Sequence, residues 1–130
     1  MIKMSIKTRS YTELVRKRAK EATFRNLTHA ASALRLTARR SLRRRKRPSA
    51  PGQPPSSPTG RLKASILFAV DRSRDYAVIG PSRNLIGPAG QEHEHGAHIR
   101  KERFPKRPYM GPALEKLRPR LAHLWAGSVR

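Results

Sequence analysis

Ile2, Met4 and Ile6 alternate with Lys3, Ser5 and Lys7 at the start of the chain. A period of two predicts a half-buried strand. The period then changes. Ser10 precedes Glu13 at capping-box spacing, and Tyr11 and Leu14 open an apolar pattern. Hydroxyl and carboxylate would each satisfy an orphan backbone N–H, so a helix is predicted from about Tyr11 to Arg44. Its stripe runs through Leu14/Val15, Ala19, Ala22, Leu27, Ala30/Ala31, Leu34, Ala38 and Leu42. The stripe is rich in alanine and therefore thin.

Pro48, Pro51, Pro54, Pro55 and Pro58, with Gly52 and three serines, interrupt any regular element. So many prolines exclude helix and central strand. Residues 45–58 are expected to form a mobile Pro/Ser-rich loop within one small domain spanning 1–130. Beyond it, 59–65 fits a short helical turn. Ile66-Leu67-Phe68-Ala69-Val70 reads as a strand, 72–75 as a polar turn, and Tyr76 to Pro81 as the returning strand of a hairpin. The stretch 83–107 reads as irregular, with a short helix around Ala89–His95. A last helix begins near Gly111-Pro112, with Pro where its missing N–H costs nothing. Ala113, Leu114, Leu117, Leu121, Leu124 and Trp125 form its apolar face, and Pro119 should kink or divide it.

The elements predict an α+β fold. A small antiparallel sheet of about three strands would carry a long N-terminal helix and a shorter C-terminal helix. The expected core is Ile2, Met4, Ile6, Leu27, Leu34, Ile66, Phe68, Val70, Val78, Leu114 and Leu117. So few large apolar side chains make oligomerisation a reasonable supplement.

Charge changes the picture. The chain of 130 residues has 30 Lys+Arg against 8 Asp+Glu, a net +22. A small soluble domain typically carries a magnitude of about 2–8. Residues 1–47 alone hold 16 basic and 2 acidic side chains. Arg39-Arg40-Ser41-Leu42-Arg43-Arg44-Arg45-Lys46-Arg47 is the steepest run. On a continuous helix Arg35, Arg39 and Arg43 would stack at four-residue spacing, with Arg40 and Arg44 beside them. Such like charges repel, and a neutralising partner removes the cost. Arg35, Arg39, Arg40, Arg43, Arg44, Arg45 and Arg47 are therefore the candidate patch facing a partner. Nucleic-acid phosphates and an acidic protein surface fit the residues equally well. Aromatic side chains are not interleaved with the run, which argues against a single-strand stacking platform.

Other chemistry is poorly supported. With no Cys there is no disulfide, thiolate zinc site or Cys nucleophile. His93, His95 and His98 with Glu92 and Glu94 imitate a metal cluster, but the HExxH spacing is missing, so a polar surface segment is the better reading. No nucleophile elbow or phosphate-binding glycine loop occurs. Asp71 and Asp75 read as surface ion pairs. No enzyme, cofactor or metal is expected. Nor does any apolar run reach the ~18–20 residues of a membrane span, and the N-terminus lacks a secretory apolar core. A non-secreted chain follows as the expectation.

Four segments, in order, carry a resemblance. Ser57-Pro58-Thr59-Gly60-Arg61-Leu62-Lys63-Ala64-Ser65-Ile66 resembles the "TG-x-L-x-x-S-I" entry to the hairpin of tailed-bacteriophage tail-component proteins. These are small proteins of the head–tail joining region, also called tail completion or virion morphogenesis proteins. Tyr76 to Pro81 is similar to the family's second strand and its Gly-Pro stop. His93-Glu94-His95-Gly96 resembles its "E-x-G" turn. Arg107-Pro108-Tyr109-Met110-Gly111-Pro112-Ala113-Leu114-Glu115 resembles its closing "RPFMGPAL-E" signature. The likeness covers about residues 57–125; the arginine run and Arg100-Lys101-Glu102-Arg103 depart from the pattern.

The resemblance implies a non-catalytic structural virion protein at the neck or the top of the tail. It would form a ring, expected to be a hexamer, joining the head connector to the tail. Its partners would be other neck and tail proteins, with contact to passing DNA and none to membrane. Gly60, Leu62, Ser65, Gly80, Glu94, Gly96, Pro108, Tyr109, Met110, Pro112 and Leu114 are the structural residues it implies. Tyr109, Met110, Pro112 and Leu114 would anchor the last helix on the sheet. A free basic protein making sequence-independent phosphate contacts is the alternative.

Overall fold

The computed structural model of the chain describes residues 1–128. Helix α1 covers Thr12–Ser41 and α2 covers Arg61–Ser65. Strands β1 (Ile66–Asp71) and β2 (Tyr76–Pro81) form an antiparallel hairpin, with Phe68 opposite Ile79 and Asp71 opposite Tyr76. Helices α3 (Arg83–Ile86) and α4 (Ala89–His95) follow. A second hairpin pairs β3 (Ala97–Ile99) with β4 (Glu102–Phe104). Helix α5 spans Met110–Leu121 and passes into a 3-10 turn at Ala122–Leu124. The fold is α+β, with its strands in two two-stranded sheets.

The core sits at the C-terminal end of α1. Leu34, Ala38 and Leu42 meet Leu62, Ile66, Tyr109 and Ala113 there, with Ile79, Ile86, Met110 and Leu117 packed around them. The hairpin lies along α1. At one end the Arg35 Nε–H donates to the Ile66 carbonyl at 2.9 Å. At the other the Arg72 guanidinium stands 5.0 Å over the Phe24 ring. The turn between the strands closes on Asp71, whose Oδ1 accepts from the Ser73 N–H, the Ser73 hydroxyl and the Arg74 N–H. These bonds, led by the hydroxyl, hold the Asp71 carboxyl below its usual range.

Several expectations are corrected. Residues 1–10 form no strand; Ile2, Met4 and Ile6 are 93%, 85% and 85% exposed. They pair with no strand of either hairpin among the described residues. The capping box is not made, because the Ser10 hydroxyl pairs with that of Thr12 and Glu13 pairs with Arg16. Helix α1 stops at Ser41 rather than Arg44: Leu42 turns extended and is buried, and the Arg43 carbonyl accepts the Ser57 N–H at 2.9 Å. Arg43 and Arg44 therefore do not stack on Arg39 and Arg40 as helix neighbours.

Core membership shifts as well. Val78 is 60% exposed on the outer hairpin face and Leu114 is exposed, while Leu27, Phe68, Val70 and Leu117 are half-buried. Small residues and Tyr109 take their places, which lets α5 come close to α1. The region expected to be irregular contains α3 and the β3–β4 hairpin. That hairpin turns on Arg100 and Lys101, both at positive φ, a conformation usually signalled by Asn or Gly.

The proline-rich segment is held at several points. Arg43 and Ser56 form a parallel bridge. The Gly52 N–H donates to the Lys106 carbonyl at 2.8 Å, and the Arg107 Nε–H donates to the Ser49 carbonyl at 2.9 Å. Pro55 and Ser57 are buried. Among the described residues no helix is long and apolar enough to cross a membrane.

Candidate functional site

Two features concentrate the candidate residues. The first joins α4 to α5. A helix start leaves several N–H groups without intrahelical partners. At α5 these are supplied from another element. Glu94 Oε2 accepts the N–H of Tyr109 at 2.9 Å and of Met110 at 3.0 Å, while Oε1 accepts that of Gly111 at 2.8 Å. Pro112 has no N–H to satisfy, and the Ala113 N–H begins the helical ladder by reaching Tyr109 O. The carboxylate also sits at the positive end of the helix dipole.

Tyr109 stands beside this cap, fully buried, with its hydroxyl 3.5 Å from the Gly90 carbonyl. Burial, with the nearby Glu94 charge, pushes the phenol well above its ordinary ionisation range. Gly90 is buried and has no room for a side chain: an added Cβ would stand 2.4 Å from Pro81 Cγ. Gly96 lies at φ +78, and a Cβ there would meet the Phe104 carbonyl at 3.0 Å. The "E-x-G" turn and the closing signature are therefore one physical unit. Ser65 belongs to the same core and donates from its buried hydroxyl to Leu62 O at 2.7 Å. Gly60 caps α2 in the left-handed region, and the Arg44 side chain lies against it.

The anchoring of α5 differs from expectation. Tyr109, Ala113, Met110 and Leu117 hold it, and it docks against α1. Pro112 and Leu114 are exposed instead, and Pro112 borders the open groove between α5 and α1. Pro108 is half-buried. Gly80 has an ordinary φ and open space where a Cβ would be, so sterics do not require glycine there.

The second feature is basic. An open cleft of about 530 Å³ lies between the end of α1 and the proline-rich segment, lined in part by Arg40, Arg43 and Arg45. A groove of about 410 Å³ between α1 and α5 is lined by Arg40, Lys116 and Arg120, with Thr37 and Ser41. Arg40 and Ser41 border both. Among the described residues neither lining includes a carboxylate. The three ion pairs among the described residues, Arg16–Glu13, Arg74–Asp71 and Arg118–Glu115, lie elsewhere.

The predicted arginine patch is thus divided. Arg40, Arg43 and Arg45 come together. Arg35 is spent on the Ile66 carbonyl and Arg44 lies at Gly60. Arg39 is half-buried and Arg47 exposed, and neither lines these two depressions. Sequence reasoning missed Lys116 and Arg120. Their spacing on α5 was readable, but nothing in it revealed that this face meets Arg40.

The histidines do not converge. His95 and His98 are exposed, and among the described residues no group of three or more His, Asp or Glu is placed to hold a metal ion. His93 is half-buried beside a small cavity shared with Arg107 and Lys46. Burial, then the Arg107 charge, lower its proton affinity against an opposing pull from Glu92.

No family model matches the chain, and neither the curated proteins nor the solved structures give a match.

Proposed function

We propose that the chain is a structural virion protein of the head–tail joining region of a tailed phage. In this reading it assembles as a ring, a hexamer by the resemblance, and joins the head connector to the tail without catalysing a reaction. The observation that carries the reading is the Glu94 cap on Tyr109, Met110 and Gly111. It gives two separate motif resemblances a common structural purpose.

Unpartnered apolar surface supports assembly. Ile2, Met4, Ile6, Tyr11, Leu14 and Val15 are exposed at one end of the chain, and Leu67, Tyr76 and Val78 are exposed on the outer hairpin face. A subunit interface would remove that surface from water. In a ring such contacts are heterologous and close by rotation. The charge of +22 also favours neighbours that supply negative charge, because like-charged subunits repel.

Sedimentation or native mass measurement of the purified chain tests the proposal, together with its recovery in isolated particles. A closed homo-oligomer that co-purifies with virion proteins is expected. The carboxylate-free basic groove favours a second reading, a free protein bound to nucleic-acid phosphates. That reading predicts tight duplex or RNA binding by a chain that forms no closed oligomer.

A further inference from the structure

We propose that the cleft and groove joined at Arg40 form one binding site for the phosphodiester backbone of duplex DNA. The site is assembled from two stretches distant in sequence. Arg40 lies in the last turn of α1, Arg43 and Arg45 follow it toward the proline-rich segment, and Lys116 and Arg120 approach from α5. Five cations thus border two depressions that share Arg40 and Ser41, and among the described residues neither lining contains a carboxylate. None of the five belongs to an ion pair among the described residues.

A second observation concerns hydroxyls. Ser49 and Ser56 line the cleft, and their buried Oγ atoms have no hydrogen-bond partner. A buried hydroxyl left unpaired is unfavourable. A phosphate oxygen in the cleft would supply the acceptor each lacks once a side-chain rotation exposes the hydroxyl; both serines also border the small cavity beside His93. Thr37 and Ser41 place further hydroxyl-bearing residues along the groove. Arginine, lysine, serine and threonine are the usual donors to phosphate oxygens.

The composition favours phosphate over an acidic protein. Protein interface centres are enriched in aromatic residues, methionine and arginine and depleted in lysine and serine, both of which line this surface. Here charge dominates, and the single aromatic residue in the lining, Tyr109, is fully buried. With no accessible ring for base stacking, the surface suits a duplex backbone better than a single strand. Phosphate contacts carry no base information, so the binding is indifferent to sequence.

The inference goes beyond the assembly reading and is tested apart from it, since duplex affinity and subunit mass are separate measurements. The full chain is titrated into a labelled random-sequence duplex at several salt concentrations. Arg43→Gln/Lys116→Gln/Arg120→Gln is compared with Lys3→Gln/Lys7→Gln/Lys17→Gln, which removes the same charge from exposed positions outside the site. The site variant is expected to bind at least about tenfold more weakly, with a salt slope shallower by about 2–3, near 0.9 per lost phosphate contact. The control should stay within about threefold of the parent. Circular dichroism establishes that each variant folds. Should the triple variant fail, Lys116→Gln/Arg120→Gln on the exposed face of α5 should still reduce the slope by about 2.

Equal losses in the site and control variants would overturn the proposal, as would absence of duplex binding at low salt. Full displacement by millimolar inorganic phosphate at constant ionic strength would assign the site to the free ion and overturn the duplex. Tighter, site-dependent binding of polyglutamate would assign it to an acidic protein and overturn it equally.

Discussion

The Glu94 carboxylate accepts the backbone N–H of Tyr109 at 2.9 Å, and with Met110 and Gly111 it satisfies the start of α5 from a neighbouring helix. Removing it strips three charge-assisted bonds at once. Glu94→Ala is expected to destabilise the fold by about 2–4 kcal/mol, and Glu94→Gln by less, because the amide oxygen still accepts. Urea denaturation of both variants measures the difference.

Packing around Pro81 and Tyr109 makes two glycines unequal. An added methyl at Gly90 would strike Pro81 and press on the Tyr109 hydroxyl, whereas the position at Gly80 is open. Gly90→Ala should cost about 1–3 kcal/mol through overpacking, and Gly80→Ala should leave stability within about 0.5 kcal/mol. Thermal midpoints of the two variants, measured together, check this contrast.

Tyr109 separates packing from hydrogen bonding. Its hydroxyl has one long contact, at 3.5 Å, but its ring is fully buried in the core. Tyr109→Phe should change stability by under about 1 kcal/mol, and Tyr109→Ala should cost about 3–5 kcal/mol. Because burial raises the phenol's proton affinity, the unfolded chain loses its proton first as pH rises. Tyr109 should therefore contribute a loss of stability above about pH 10 that Tyr109→Phe lacks.

His93 gives the opposite pH dependence. Burial and Arg107 lower its proton affinity in the folded chain. As pH falls through the ordinary histidine value of 6.5, the unfolded chain takes up the proton before the folded one does. Stability should therefore decline below that point until the folded histidine also titrates. His93→Gln should flatten this part of the stability profile, as denaturation at a series of pH values would show.

In the proposed assembly the exposed N-terminal arm would serve association rather than folding. Deleting residues 2–9 should leave the thermal midpoint nearly unchanged, because Ile2, Met4 and Ile6 lie outside the core. The account expects the same deletion to weaken subunit association. Sedimentation at several concentrations, compared with the parent chain, measures that loss.

Local pattern made some elements legible and hid others. The 66–81 hairpin was readable because apolar runs flanked a polar turn, and Ala89–His95 forms the helix expected there. The alternation at Ile2, Met4 and Ile6 was equally clear, yet a strand needs an edge, and periodicity names no partner. The β3–β4 hairpin escaped because Arg100 and Lys101 carry no turn signature despite their positive φ. At the basic surface, Arg40, Arg43 and Arg45 were visible as a run. Lys116 and Arg120 join them through the packing of α5 on α1, a tertiary relationship with no local trace. Gly90 looked like one more turn residue until Pro81 and Tyr109 closed around it.

The central claim is that this chain works as a subunit of a closed structural assembly. Native mass measurement of the full chain across a range of protein concentrations, at near-physiological salt, tests it most directly. The account predicts one discrete homo-oligomer with the mass of a ring. A chain that stays monomeric throughout, and is absent from isolated particles, would contradict it.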